Sequence, residues 1–261
     1  MRIAVGLEYD GASFHGWQTQ ADGTGVQDAL ESALSRIADV PVSTVAAGRT
    51  DAGVHAAIQV VHFDTDAHRA DTAWVRGVNA LLPSSVAVRW GLGVPADFHA
   101  RFAATGRHYT YLLLDRPVRP ALLTGRVGWY HRPLALDLMR TAADALLGRH
   151  DFSAFRAAEC QAKSATRMLD RLDIAREDDM IRFDFHADAF LQHMVRNIVG
   201  ALVYVGNGRH PPGWIAELLA GRDRTRAAPT FAPDGLYLTG IDYPPRWNLP
   251  STHAPVRAFG A

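Results

Sequence analysis

The first 92 residues limit the fold most, because apolar runs with strand spacing alternate with two segments of helical spacing. Residues 3–9 read as a strand. Val26, Leu30, Ala33, Leu34 and Ile37 recur at the spacing of a buried helix face that stops before Pro41. Residues 42–47 and 58–63 read as strands, 72–82 as a helix and 86–92 as a strand. The order β-α-β-β-α-β is that of a ferredoxin-like split βαβ unit. Beyond it, 107–114 and 125–130 read as strands and 137–147 as a helix. Residues 168–175 and 181–186 read as a strand pair across the polar turn 176–179. Helices over 192–205 and 211–220 and a strand over 235–243 complete the chain. The second half thus broadly repeats the element order of the first, without a residue-level repeat. The expectation is an α+β fold of two ferredoxin-like halves sharing a mainly antiparallel sheet, with helices packed on one side. The expected divisions are an N-terminal subdomain over 1–105, a C-terminal subdomain over 106–244, and an extended tail over 245–261, which is proline-containing and aperiodic.

Between the strands at 42–47 and 58–63 lies Gly48-Arg49-Thr50-Asp51-Ala52-Gly53-Val54-His55-Ala56. Two glycines bracket one carboxylate, and glycine permits backbone angles and close approaches that other residues resist. On an extended backbone Arg49 and Asp51 point to the same side. The residues alone fit either an acid presented to a substrate or a tight turn with a solvated aspartate.

Composition narrows the class. At 261 residues, 48% hydrophobic and 21% charged, the chain can bury a sizeable core as one large or two ordinary domains. No apolar run approaches the roughly 18 residues that span a bilayer, and the N-terminus lacks the apolar core and cleavage site of a signal peptide. Cys160 stands alone, which excludes an intramolecular disulfide and a cysteine-based zinc cluster. Twelve histidines show neither an H-x-x-x-H nor an H-E-x-x-H spacing, so no metal is expected. A cytoplasmic protein without membrane association is the expectation. The 27 basic residues balance the 27 acidic ones, and only Lys163 among the basic residues is a lysine. Arginine suits bidentate phosphate contacts, yet genomic base composition explains the same bias; an RNA partner would need the charges segregated onto different faces.

Three further segments carry candidate chemistry. Tyr9-Asp10-Gly11-Ala12-Ser13-Phe14-His15-Gly16-Trp17-Gln18 sets aromatic rings and an amide among flexible glycines, either as a contact surface for bases and phosphates or as a surface loop with two aromatic anchors. It lacks the Gly-Lys-Ser/Thr ending of a P-loop. Residues 97–105 precede Arg107-His108-Tyr109-Thr110-Tyr111, where alternation puts Arg107, Tyr109 and Tyr111 on one strand face. The helix at 192–205 carries an apolar stripe interrupted by Arg196.

These strings together resemble the TruA-type tRNA pseudouridine synthases. The resemblance rests on G-R-T-D-A-G-V-H-A at 48–56, Y-D-G-x-x-F-x-G-W-Q at 9–18, F-H-A-R-F-x-A at 98–104, R-x-Y-x-Y at 107–111 and F-x-x-H-M-V-R-N-I-V-G at 190–200. Weaker matches at 150–155 and 233–238 extend it to nearly the whole chain up to residue 243. It implies Asp51 as the nucleophile, Arg196 as its ion partner and Arg49 as the residue that supports base flipping. It implies substrate contacts from Tyr109, Phe14, His15, Trp17, Gln18 and Arg107. It further implies tRNA as partner, uridines 38–40 of the anticodon stem-loop as targets, a homodimer across which one tRNA reaches, and no cofactor. An active-site cleft is expected on the sheet face opposite the helices, between the two halves. Whether Asp51 attacks C1′, attacks C6 or abstracts a ribose proton stays open.

Two rivals fit parts of the sequence. Split βαβ folds also serve as non-catalytic RNA-binding modules or RNA chaperones, for which Asp51 would be dispensable. An aspartate-nucleophile glycosidase needs a second acid about 5 Å away, and no motif supplies one.

Overall fold

The computed structural model describes residues 1–256. In chain order the elements are β1 (Arg2–Tyr9), α1 (Val26–Ala38), β2 (Val45–Ala46), β3 (His55–Asp64), β4 (Val86–Val94), β5 (Gly106–Asp115), β6 (Gly128–Tyr130), α2 (Leu136–Ala143), β7 (Gly148–Asp151), β8 (Thr166–Glu177), β9 (Met180–Ala187), α3 (Met194–Gly206), α4 (Trp214–Gly221) and β10 (Leu236–Asp242). They form two compact units. One comprises Met1–Gly106 and the chain from Tyr237 onward; the other is Arg107–Leu236. None of the described helices is long and apolar enough to cross a membrane.

In the first unit β1 pairs antiparallel with β3 on one side and β4 on the other, and β2 pairs antiparallel with β3. The resulting order β4-β1-β3-β2 is that of the expected split βαβ unit. Ile3, Ala4, Val5 and Leu7 are all buried, as a central strand demands. Helix α1 buries Val26, Leu30, Ala33, Leu34 and Ala38, and the Asp28 carboxylate accepts the Gly25 N–H at 2.9 Å to close its first turn. The helix stops where Asp39 takes a left-handed conformation, φ 62°.

Two expectations here need correction. Of the strand expected over 42–47, Val45 and Ala46 form the strand and Ala47 N–H adds a bond to Val60 O at 2.8 Å. The preceding backbone bonds to α1 side chains instead: Val42 N–H to Ser35 Oγ at 2.9 Å, and Thr44 N–H to Glu31 Oε1 at 2.6 Å. The helix expected over 72–82 is a π-helical segment, Ala73–Gly77, with short helical flanks. It does not extend because the Asn79 side chain leaves it for β4, donating to Val88 O at 2.8 Å and accepting from Val88 N–H at 2.7 Å. Trp74 is turned into the core, edge-on to Phe63 at 5.3 Å.

In the second unit the strand order is β5-β9-β8-β7, antiparallel throughout, with β6 parallel to β5. Strands β5, β9 and β8 and helix α2 repeat the order of β1, β3, β2 and α1. Strand β7 was not foreseen; its Gly-Arg-His-Asp sequence has no apolar alternation, and its pairing with residues 166–169 defines it. The Asp115 carboxylate, with no exposed side-chain surface, is held by two Arg176 nitrogens at 2.7 Å each and by the Leu134 N–H at 3.0 Å.

The division also differs from the expected one at the C-terminus. From Tyr237 on, β10 groups with the first unit and runs parallel to the start of β3, Tyr237 opposite His55 and Leu238 opposite Ala56. The expected extended tail doubles back over residues 245–256. Ile241 N–H bonds to Thr252 O at 3.0 Å, Ala254 N–H to Thr239 O at 2.9 Å, and Trp247 is buried edge-on to Phe98 at 5.2 Å. The prolines there set turns, and apolar side chains between them find the core. Residues 257–261 of that expected tail lie outside the described residues.

Candidate active site

The Asp51 turn sits at the entrance to β3, and the 10–18 loop clasps it. Trp17 N–H donates to Thr50 O at 2.9 Å, Gly53 N–H to Phe14 O at 3.3 Å, and Val54 N–H back to Asp51 O at 3.1 Å. Gly53 has φ 76°, the left-handed region that glycine occupies without strain. Gly16 has φ 92° and lies so close that an added Cβ would stand 2.8 Å from Thr50 O. Two of the loop's glycines are therefore required by approach: a Cβ at Gly11 would fall 2.0 Å from Val54 O.

Beneath the turn is a buried polar layer. The Tyr9 and Thr50 hydroxyls lie 2.8 Å apart, and the fully buried Gln59 donates its Nε2 to Gly48 O at 2.6 Å. Burial raises the Tyr9 phenol well above its usual pKa, more than the hydrogen bonds from Thr50 and Gln59 lower it. It stays neutral and acts as a fixed dipole. His55 accepts the Gly11 N–H at 3.0 Å and stacks on Tyr237 with ring centroids 4.6 Å apart. Thr50, Gln59 and His55 therefore fix a turn on which Asp51 is half-buried, Ala52 is exposed and Arg49 is exposed. Sequence reasoning gave these three no role. For His55 and Gln59 the available signal was polar residues in the otherwise apolar β3; Thr50 lies in the turn before it.

The candidate contact residues divide. His15 and Gln18 are exposed and Phe14 is half-buried. The His15 Nδ1 lies 3.0 Å from Thr24 Oγ1. Trp17 is corrected from a substrate contact to a core anchor: it is 2% exposed and packs on Tyr9 with centroids 5.9 Å apart. Its large apolar ring gains more by burial than an exposed loop position offers.

In the second unit, Arg196 lies in the first turn of α3, half-buried. Its Nε donates to Phe231 O at 2.9 Å, and Phe231 N–H returns to Arg196 O at 3.3 Å. The guanidinium stem is thus tethered to the 231–235 segment. The neighbouring Asn197, fully buried, donates to Phe155 O at 2.8 Å and accepts from Arg224 at 3.0 Å and Thr230 at 2.7 Å. Tyr109 is 8% exposed and edge-on to Phe190 at 5.1 Å. Arg107 donates to Asp188 O at 3.0 Å. Tyr111 is core: its hydroxyl donates to Ala232 O at 2.8 Å, and burial holds its pKa above the ordinary tyrosine value.

An acid on a rigid glycine turn, carried by a split βαβ unit, defines a candidate enzyme. The family model described as tRNA pseudouridine synthase matches residues 7–103 and 142–244, and the chain belongs to that family. It is 64% identical over 252 residues to tRNA pseudouridine synthase A of Chromobacterium violaceum, covering 96% of both chains. To the same-named proteins of Dechloromonas aromatica and Thiobacillus denitrificans it is 60% and 61% identical, covering 96% and 97% of this chain and 95% and 97% of theirs.

Proposed function

We propose that this chain isomerises uridine to pseudouridine in tRNA, with Asp51 as the nucleophile. The reaction breaks the N1–C1′ bond, turns the uracil and forms a C5–C1′ bond; the C5 proton leaves and N1 gains one. Bonds and electrons balance within the nucleotide, so neither a redox cofactor nor an energy source is required. The observation that carries the reading is the Asp51 turn itself, pinned from two sides by the 10–18 loop and by Gln59. Such pinning fixes the backbone that carries the carboxylate, and misplacing a catalytic group by about 1 Å costs roughly a hundredfold in rate.

Around it we assign Arg196 as the ion partner of Asp51, Tyr109 as the platform for the extracted base and Arg49 as the side chain that supports flipping. In that role the guanidinium offers the carboxylate charge-assisted hydrogen bonds that orient it for attack. Phe14, His15, Gln18 and Arg107 contact the RNA. The targets are uridines 38–40 of the anticodon stem-loop, and the working form is a cytoplasmic homodimer without a metal; the family resemblance supports these finer assignments. Incubation with unmodified tRNA transcript labelled with tritium at uracil C5 tests the reading. Tritium release without added cofactor is expected, and its absence on several tRNAs would overturn it.

A further inference from the structure

A second candidate contact lies at the far end of β3. Phe102 is 77% exposed, an unusual state for an ordered aromatic ring, yet it is not loose: it stacks on His99 with ring centroids 4.2 Å apart and planes 27° apart. The His99 ring is itself fixed, because its Nδ1 accepts the backbone N–H groups of Arg101 at 3.3 Å and Phe102 at 3.2 Å. It packs in turn on His62 of β3 at 4.8 Å, and His62 meets the buried Phe98 edge-on at 6.0 Å. His62 Nδ1 accepts the Ala100 N–H at 3.1 Å. The rings form a ladder from the core to the surface, and its last rung presents one open face. Tyr243 ties the same segment down by donating to Ala100 O at 2.6 Å.

A ring exposed to this degree gains little from burial, so local hydrophobic packing does not explain why the chain orders it. Its chemistry suits a flat, apolar, polarisable ligand. Arg101, exposed beside it with its guanidinium carbon 5.9 Å from the ring centroid, adds the positive charge a phosphate backbone selects. We infer that Phe102, supported by His99 and flanked by Arg101, is a stacking platform for an unpaired nucleobase of the RNA substrate. The site is separate from the Asp51 turn. His55 opens β3 and His62 lies near its other end, seven residues on, which on an extended strand is about 23 Å. The base it holds is therefore remote from the reacting uridine, and the contact raises affinity without touching the chemistry. The inference rests on the proposed RNA substrate.

The test compares wild type, Phe102→Ala and Phe102→Trp in two assays: equilibrium binding to unmodified tRNA transcript at fixed salt, and tritium release at saturating transcript. Phe102→Ala should bind about five- to hundredfold more weakly and Phe102→Trp near wild type. The saturated release rate should be unchanged in both. Equal binding by Phe102→Ala, while the wild type releases tritium, would overturn the platform and leave the synthase reading intact. Wild type that binds transcript but releases no tritium would sink the synthase reading, and the same binding ratio would still judge the platform. A Phe102→Ala protein that dissociates into smaller species by sedimentation, with binding restored at high protein concentration, would make the ring an interface between copies and overturn the inference.

Discussion

The Tyr9 hydroxyl lies 2.8 Å from the hydroxyl of Thr50, the buried residue next to Asp51. The end of β1 thereby fixes a turn about forty residues further along the chain. Thr50→Val keeps the shape but removes one partner of a buried phenol, at a cost of about 1–3 kcal/mol. In a chain of this size the melting temperature should fall by about 2–4 °C per kcal/mol. Thermal unfolding of Thr50→Val, Tyr9→Phe and the double variant should show the double variant losing less than the sum, since the two act on one contact.

The two glycines with positive φ in the first loop separate strain from approach. At Gly16 an alanine would adopt φ 92° with its Cβ 2.8 Å from Thr50 O, pushing on the Asp51 turn. At Gly23, φ 73°, nothing lies within 4 Å. Gly23→Ala should cost about 1 kcal/mol through backbone strain alone and retain activity. Gly16→Ala should lose about a hundredfold in release rate at a temperature where it remains folded.

Acid should weaken the first unit through His62. Its pKa is pushed down to about 4, chiefly by burial and further by the Arg2 cation. The unfolded histidine, near 6.5, takes up a proton that the folded one refuses between those values. The stabilisation is therefore complete above about pH 6.5 and is lost as the pH falls towards 4; it amounts to about 3 kcal/mol at most. Urea unfolding from pH 7.5 to 4.5 should show this slope, and His62→Gln should flatten it.

In the second unit, Arg176→Met leaves the Asp115 carboxylate buried without its main partner. The expected loss is about 3–5 kcal/mol, read as a lower urea midpoint. Arg176→Lys should recover only part of it, because one ammonium cannot reproduce the two-pronged contact.

Local pattern made much of the fold legible. The apolar stripe of α1 and the strands around β1, β3, β5, β8 and β9 depend on periodicity over a few residues, and periodicity is written in the chain. What was illegible depends on partners far along it. Thr44 leaves the ladder because Glu31 accepts its N–H, the segment after Thr72 yields to the Asn79 amide, and residues 245–256 fold back because Trp247 finds Phe98. The Asp51 turn was legible because its glycines and acid are contiguous. Thr50, Gln59 and Gly16 were not, since their contribution is a close approach between segments. Trp17 was misassigned for the same reason: motif position marks where a residue sits in the loop but not which way its ring turns.

Asp51→Asn tests the central claim most directly, because it keeps the size of the side chain and removes the nucleophilic charge. Tritium release from C5-labelled tRNA transcript should fall by at least about a thousandfold, with transcript binding and thermal unfolding close to wild type. Release by Asp51→Asn at the wild-type rate would contradict the assignment of Asp51 as the nucleophile.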